Sequence, residues 1–197
     1  MSSRNKIIQL VEQGQLKQDV PDFSPGDTVV MYETGHFAAL WNKLALKLGL
    51  KTEVLGLPQG QNWRRGVQAD LIEQRLNADT QHQIRAVCVV HNETSTGVTS
   101  DILAVRQAID RAKHPALLLV DTISGVGAAD YRHDEWGVDV SMGGSQKGLM
   151  MPPGIGLKMR KKSGHQVNCP GMIGIFRANN QSITNGNRDS QRKGPPI

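Results

Sequence analysis

Three short strand-like runs in this 197-residue chain are almost wholly apolar: "TVVMY" from residue 28, "AVCVV" from residue 86 and "ALLLV" from residue 116. A strand with one wetted face alternates apolar and polar residues, whereas a strand covered on both faces reads as a continuous apolar run. Such strands need helices above and below them. "GHFAALWNKLALKLG" supplies one, with Phe37, Leu40, Trp41, Leu44, Ala45 and Leu48 on one expected face and Gly49 placed as a C-cap. A second helix is expected over about residues 68–77. Ser100 can cap a third, in which Ile102, Val105, Ile109 and Ala112 recur every three or four positions. "SPGD" is a turn that launches the first run, "KTEVLGL" is a further short strand, and residues 4–13 are expected to form a short N-terminal helix. Alternation of this kind builds right-handed βαβ units, so the fold expected is α/β, on a mainly parallel, doubly wound sheet. Ligands of such sheets lie beyond the carboxyl ends of the strands, which singles out the loops after Val90 and Val120.

The length suits one domain able to bury a sizeable core. Cys88 and Cys169 are too few for a disulfide framework, and Cys88 lies inside an apolar run, which fits a reducing, cytoplasmic setting. No apolar run approaches the ~18 residues of a membrane span, and the first residues lack the apolar core of a signal peptide. A soluble protein with no membrane partner is expected. The formal net charge of +5 is unevenly placed: residues 158–197 carry eight Lys and Arg against the single acid Asp189, while the rest holds a slight excess of acids. That distribution argues against nucleic acid as a partner of the body of the protein. The basic segment has one aromatic, Phe176, and so little with which to stack on bases.

The third apolar run ends on Asp121, and Lys147 follows in "MGGSQKGLM", among residues that bring little charge or bulk. A lysine desolvated by such surroundings loses proton affinity and becomes a nucleophile toward carbonyls. Asp121 by itself could equally cap the next element or pair with an arginine. A strand-end carboxylate together with a desolvated lysine is what pyridoxal phosphate chemistry requires. The lysine forms the Schiff base, and the carboxylate keeps the pyridine nitrogen protonated, so that the ring accepts electrons. Spacing alone does not decide between these readings, because both residue types are common.

From about Ser24 to Gly156 the chain resembles the class V, fold type I aminotransferases, in particular the serine–glyoxylate and alanine–glyoxylate aminotransferase family. The resemblance is carried, in the family's order, by "SPGDTVVMYETGHFAALW", "VCVVHNETSTGVTSD", "KHPALLLVDTISGV" and "DEWGVDVSMGGSQKGLMMPPGIG". It implies that Lys147 binds pyridoxal 5'-phosphate and moves the Cα proton, and that Asp121 binds the pyridine N–H. It further implies that Thr94 donates to the phenolic oxygen, Gln146 contacts the phosphate and Phe37 stacks on the ring. No metal is implied. His36 and His91 are read as histidines satisfied at the ends of their elements. The implied reaction passes nitrogen from serine or alanine to glyoxylate or another 2-oxo acid, in a homodimer. The alternatives are a catalytically impaired fragment and a lyase or desulfurase on the same scaffold.

Two features depart from the family. Roughly thirty residues before the stacking aromatic the family has a Ser/Gly-rich turn whose N–H groups cradle the phosphate; here "RNKIIQLVEQGQLKQDVPD" holds one glycine and no such cluster. After Gly156 a basic segment stands where the family continues into a small domain bearing the arginine for the substrate carboxylate. The division expected is therefore a poorly matched segment at 1–23, a partial cofactor-binding domain at 24–157 and a basic, disordered tail at 158–197. Such a truncated form is expected to be a feeble transaminase.

Overall fold

The three apolar runs become neighbouring strands in the middle of one seven-stranded sheet. The computed structural model describes residues 24–56 and 65–160, and the backbone of 174–177; the helix expected at 4–13 lies outside the described residues. In chain order the elements are β1 (Thr28–Tyr32), α1 (His36–Lys47), β2 (Lys51–Leu55), α2 (Ala69–Ala78), β3 (Ile84–Val90), β4 (Asn92–Glu93) and β5 (Val98–Thr99). Then follow α3 (Ile102–Arg111), β6 (Leu117–Asp121), β7 (Val140–Gly144), β8 (Ile155–Arg160) and β9 (Gly174–Arg177). The sheet order is β2-β1-β3-β6-β7-β8-β9, and β4 and β5 form a separate hairpin. Pairings from β2 to β7 are parallel, and β8 and β9 are added antiparallel.

The sheet is covered on both faces, as uninterrupted apolar strands require. On one face Val30, Val87, Val89, Leu118 and Val120 pack under Ile72 and Leu76 of α2 and Ile102, Val105 and Ile109 of α3. On the other, Val29, Met31, Ala86 and Cys88 meet Trp41 of α1. Turn chemistry is as expected at Gly26 and Gly49, both with positive φ, and the Gly26 N–H donates to Gly49 O at 2.8 Å.

Three expectations are corrected. The side of α1 that meets the sheet carries Ala38 and Ala45, with Trp41 half-buried, whereas Phe37, Leu40, Leu44 and Leu48 remain 44–62% exposed. The apolar arc of this helix is wider than the strip the sheet covers, and small residues allow the closest approach. The cap of α3 is Asp101, which accepts from the Ala104 N–H at 2.9 Å. Ser100 sits one residue too early, and its hydroxyl accepts from the Val67 N–H instead. Finally, the basic segment does not begin as a tail at residue 158: Leu157 and Met159 turn inward while Lys158 and Arg160 face water, so β8 runs to Arg160, and Gly174–Arg177 pairs with it. Basic composition hid a period-two pattern.

A buried polar cluster closes the amino-terminal edge of the sheet. Asp79, after α2, accepts from the Ile84 N–H at 2.7 Å and lies 3.2 Å from His114 Nε2. The Ala116 N–H points at His114 Nδ1 at 3.1 Å, so Nδ1 is bare, Nε2 carries the hydrogen, and the ring is neutral. Burial pushes His114 below its ordinary value, Asp79 opposes this, and His82 and Arg75 reinforce it. Burial also pushes Asp79 upward, but the N–H groups of Ile84 and Gln83 and the His114 ring outweigh it and hold the carboxyl low. A histidine depressed by folding stabilises the fold above its unfolded value near 6.5 and loses that contribution as pH falls below it. Urea midpoints should therefore fall as pH drops from about 6.5 toward 5, and His114→Asn should flatten that slope. An unchanged slope in the variant would assign the effect to other histidines.

Candidate active site

Four of the parallel strands, β1, β3, β6 and β7, end on the same edge of the sheet, and each is followed by a residue singled out in the sequence. Phe37 stands in the first turn of α1 after β1, Thr94 in the hairpin after β3, Asp121 at the tip of β6, and Gln146 and Lys147 in the loop after β7. The register sets Val90 beside Asp121 and Asp121 beside Met142, so the ends are level. Asp121 is half-buried, and its Oδ1 accepts from the Ile123 N–H at 2.9 Å. Burial pushes its carboxyl above the usual range, the Ile123 N–H pulls it back, and the charge of Glu93 raises it again. Such a carboxyl gains from a cationic N–H brought against it.

The hairpin that carries Thr94 is docked on the start of α1 by Glu93. This carboxylate is wholly buried. Its Oε2 accepts from the Ala38 N–H at 3.1 Å, and its Oε1 accepts from the N–H groups of Phe37 at 3.3 Å and Ser95 at 3.2 Å and from the Ser95 hydroxyl at 2.6 Å. The Ser95 oxygen in turn accepts from the His36 N–H at 2.9 Å. The free N–H groups of a first helical turn are thus satisfied by a negative charge, which their dipole favours. A Cβ at Gly35 would stand 2.6 Å from Glu93 Cγ and from Ser95 Oγ, so the position is glycine for want of space. Thr94 itself is exposed, and Phe37 lies edge-on to the His36 ring.

The lysine loop is held by backbone contact. Buried Ser145 donates its hydroxyl to Pro152 O at 2.7 Å and its N–H to Ile155 O at 3.0 Å, which pins the two sides of the β7–β8 connection. A Cβ at Gly148 would stand 2.4 Å from Val126 O and 2.7 Å from Ala128 N. The loop therefore rests directly on the turn that follows Asp121, where Gly127 has a φ of +79°. That turn is tied back to the hairpin strand β4, because Ser124 Oγ donates to Asn92 O at 2.7 Å. The small residues around Lys147 serve these contacts rather than its desolvation: Lys147 is exposed, contrary to expectation. Gln146 is also exposed and folds over Gly144.

His91 is not a satisfied histidine either. It is buried against Tyr131 and Trp136, on the face of the sheet opposite Asp121, and its Nδ1 has no partner among the described residues. Burial pushes its ring below the ordinary value, and Asp130 opposes this. The sequence alone does not point to Glu93, Ser95 or Gly35. Glu93 lies in "HNETSTG", but the helix it caps begins more than fifty residues earlier, beyond the range of local capping patterns.

The sequence model of the family described as Aminotransferase class-V matches residues 5–190. The chain belongs to the class V aminotransferase family. This class V chain is 50% identical over 134 residues to the L-aspartate–glyoxylate aminotransferase of Paracoccus denitrificans, covering 68% of its own length and 33% of that protein. It is 46% identical over 134 residues to the serine–glyoxylate aminotransferase of Arabidopsis thaliana, covering 68% and 32%. The fold of the alanine–glyoxylate aminotransferase from Nostoc sp. superposes with a TM-score of 0.61 at 28% identity, over 72% of this chain and 35% of that one. The class V chain thus spans about a third of the length of the curated relatives it matches.

Class V aminotransferases use pyridoxal phosphate, and the residues at this edge have the chemistry to hold that group. Asp121 offers a carboxyl of raised proton affinity to a ring N–H, Thr94 a hydroxyl, Phe37 an exposed aromatic face and Lys147 an exposed amine. Because the lysine loop is seated by backbone contact, Gly148→Ala must push two touching backbones apart and should cost more than about 1 kcal/mol in urea unfolding. Gly156→Ala has no neighbour within 4 Å and should stay within about 0.5 kcal/mol of the parent. Equal effects would contradict the contact.

Proposed function

We propose that this chain binds pyridoxal 5'-phosphate and serves transamination, with a small amino acid such as serine or alanine as donor and glyoxylate or another 2-oxo acid as acceptor. The observation that carries this reading is the convergence of Phe37, Thr94, Asp121 and Lys147 at the ends of four adjacent parallel strands. When bound, the cofactor supplies an electron sink for the electrons left at Cα as its proton departs. Asp121 holds the proton on the pyridine nitrogen, and its raised proton affinity suits it to that contact. Lys147 would hold the cofactor through Nζ, and its amine, freed when the donor's amino group takes its place, would carry the Cα proton. The Thr94 hydroxyl donates to the phenolic oxygen, Phe37 covers one ring face, and Gln146 contacts the phosphate.

Lys147 is exposed, so water must be excluded from it by groups beyond the described residues. A homodimer in which the second subunit closes the site meets that need, and the exposed stripe of Phe37, Leu40, Leu44 and Leu48 offers it apolar surface. Among the described residues no helix is long and apolar enough to cross a membrane. A reducing cytoplasm suits the buried free thiol of Cys88, which burial pushes up to about 12.

The single glycine in residues 1–23 supports a second reading, in which the phosphate is held loosely and turnover is feeble. Losing two charge-assisted hydrogen bonds, at about 1.5–3 kcal/mol each, weakens binding ~10²-fold or more. Incubation with pyridoxal 5'-phosphate, borohydride reduction and peptide mapping should place the label on Lys147. Asp121→Asn should keep the label yet slow exchange of the donor's α-proton by orders of magnitude. A label confined to Lys158, Lys161 or Lys162 would contradict the reading. Labelled Lys147 without turnover of serine and glyoxylate would favour the feeble form.

A further inference from the structure

The cap of α1 is imported. A helix start is ordinarily satisfied by a Ser, Thr, Asp or Asn at its own N-cap. Here the N-cap is Gly35, which makes no side-chain cap, and the acceptor comes from Glu93 in the hairpin after β3. Burying a carboxylate completely is costly unless donors surround it. Two helix N–H groups, the Ser95 N–H and the Ser95 hydroxyl do so, and Gly35, having no Cβ, leaves the space that the Glu93 side chain occupies. The arrangement joins two elements that carry different site residues. One of the N–H groups it binds is that of Phe37, and the residue that follows it is Thr94.

We propose that Glu93 is a positioning residue that fixes Phe37 and Thr94 at one spacing, so that the aromatic face and the hydroxyl engage the same cofactor ring; this rests on the cofactor reading above. A local Ser or Asp cap would stabilise α1 equally well but would leave the hairpin held there only by the Ser95 oxygen at the His36 N–H and the Thr96 hydroxyl at Thr34 O. Glu93 also acts on the third site residue through its charge. Burial is the largest influence on Asp121 and the Ile123 N–H opposes it, but Glu93 repels the ionised form and so strengthens the hold of Asp121 on a proton. One side chain thereby ties two contacts together and adds to the proton affinity of a third.

Glu93→Gln and Glu93→Asp in the full chain separate these effects. Without cofactor, Glu93→Gln should speed hydrogen exchange of the Phe37 and Ala38 amides at least tenfold while Val105 in α3 is unchanged. The Asp121 titration, followed by carboxyl carbon NMR, should move down. Glu93→Asp is one methylene shorter but keeps its charge, so the same amides should loosen while Asp121 stays raised; a merely structural cap would not produce that split. Both variants should bind pyridoxal 5'-phosphate at least tenfold more weakly. Should Glu93→Gln fail to fold, Glu93→Asp still carries the exchange and affinity tests. Undiminished cofactor affinity in the folded variants would overturn the inference alone, as would exchange that rises uniformly through the chain. A parent chain that takes no label at Lys147 would overturn the cofactor reading and this inference with it, and the exchange data would still report whether Glu93 couples the two elements.

Discussion

Everything at the active edge depends on parallel pairing that brings the strand ends level. Because β3, β6 and β7 run in one direction with Val90, Asp121 and Met142 side by side, the loops that follow them must share one small volume. Sharing it forces backbones together, which is why Gly148 rests on the turn at Val126–Ala128 and why Ser124 reaches back to Asn92. Moving any one strand by a residue would turn its terminal side chain to the other face of the sheet. The site is therefore a property of the register before it is a property of any residue.

Within that frame the charges are placed unevenly. Asp121 and Glu93 bring two carboxylates near one another, and the repulsion is relieved incompletely, by helix N–H groups at Glu93 and by the Ile123 N–H at Asp121. The cationic partner that would relieve the remainder is the ring nitrogen assigned to Asp121 in the proposed function. Lys147 differs: its loop is firmly seated, but its side chain stands in water. The chain thus holds the backbone of the site firmly and leaves the surroundings of the amine open among the described residues.

The features of this arrangement that are legible in the sequence are those governed by short-range patterns. Unbroken apolar runs mark β1, β3 and β6, and with them the direction of the sheet and the position of Asp121 at a strand tip. Other features are hidden for identifiable reasons. The inner side of α1 escapes a search for large apolar residues because its contacts use Ala38 and Ala45. The cap of α3 is displaced by one residue because Ser100 and Asp101 are both good caps and only the tertiary contact to Val67 separates them. Small neighbours suggest a tight, desolvating pocket around Lys147, whereas here they mark contact between backbones. Glu93 is invisible, since nothing local links it to a helix that starts at His36.

The central claim is that Asp121 and Lys147 act on one cofactor, the first by keeping its ring nitrogen protonated. The most direct measurement is nitrogen-15 NMR of pyridoxal 5'-phosphate, labelled in the ring, bound to this chain and to Asp121→Asn. A protonated ring nitrogen is expected in the parent, at a pH where the free cofactor has lost that proton, and an unprotonated one in the variant. A ring nitrogen that titrates in the bound parent as it does in free solution, or that is unchanged by the substitution, would contradict the claim.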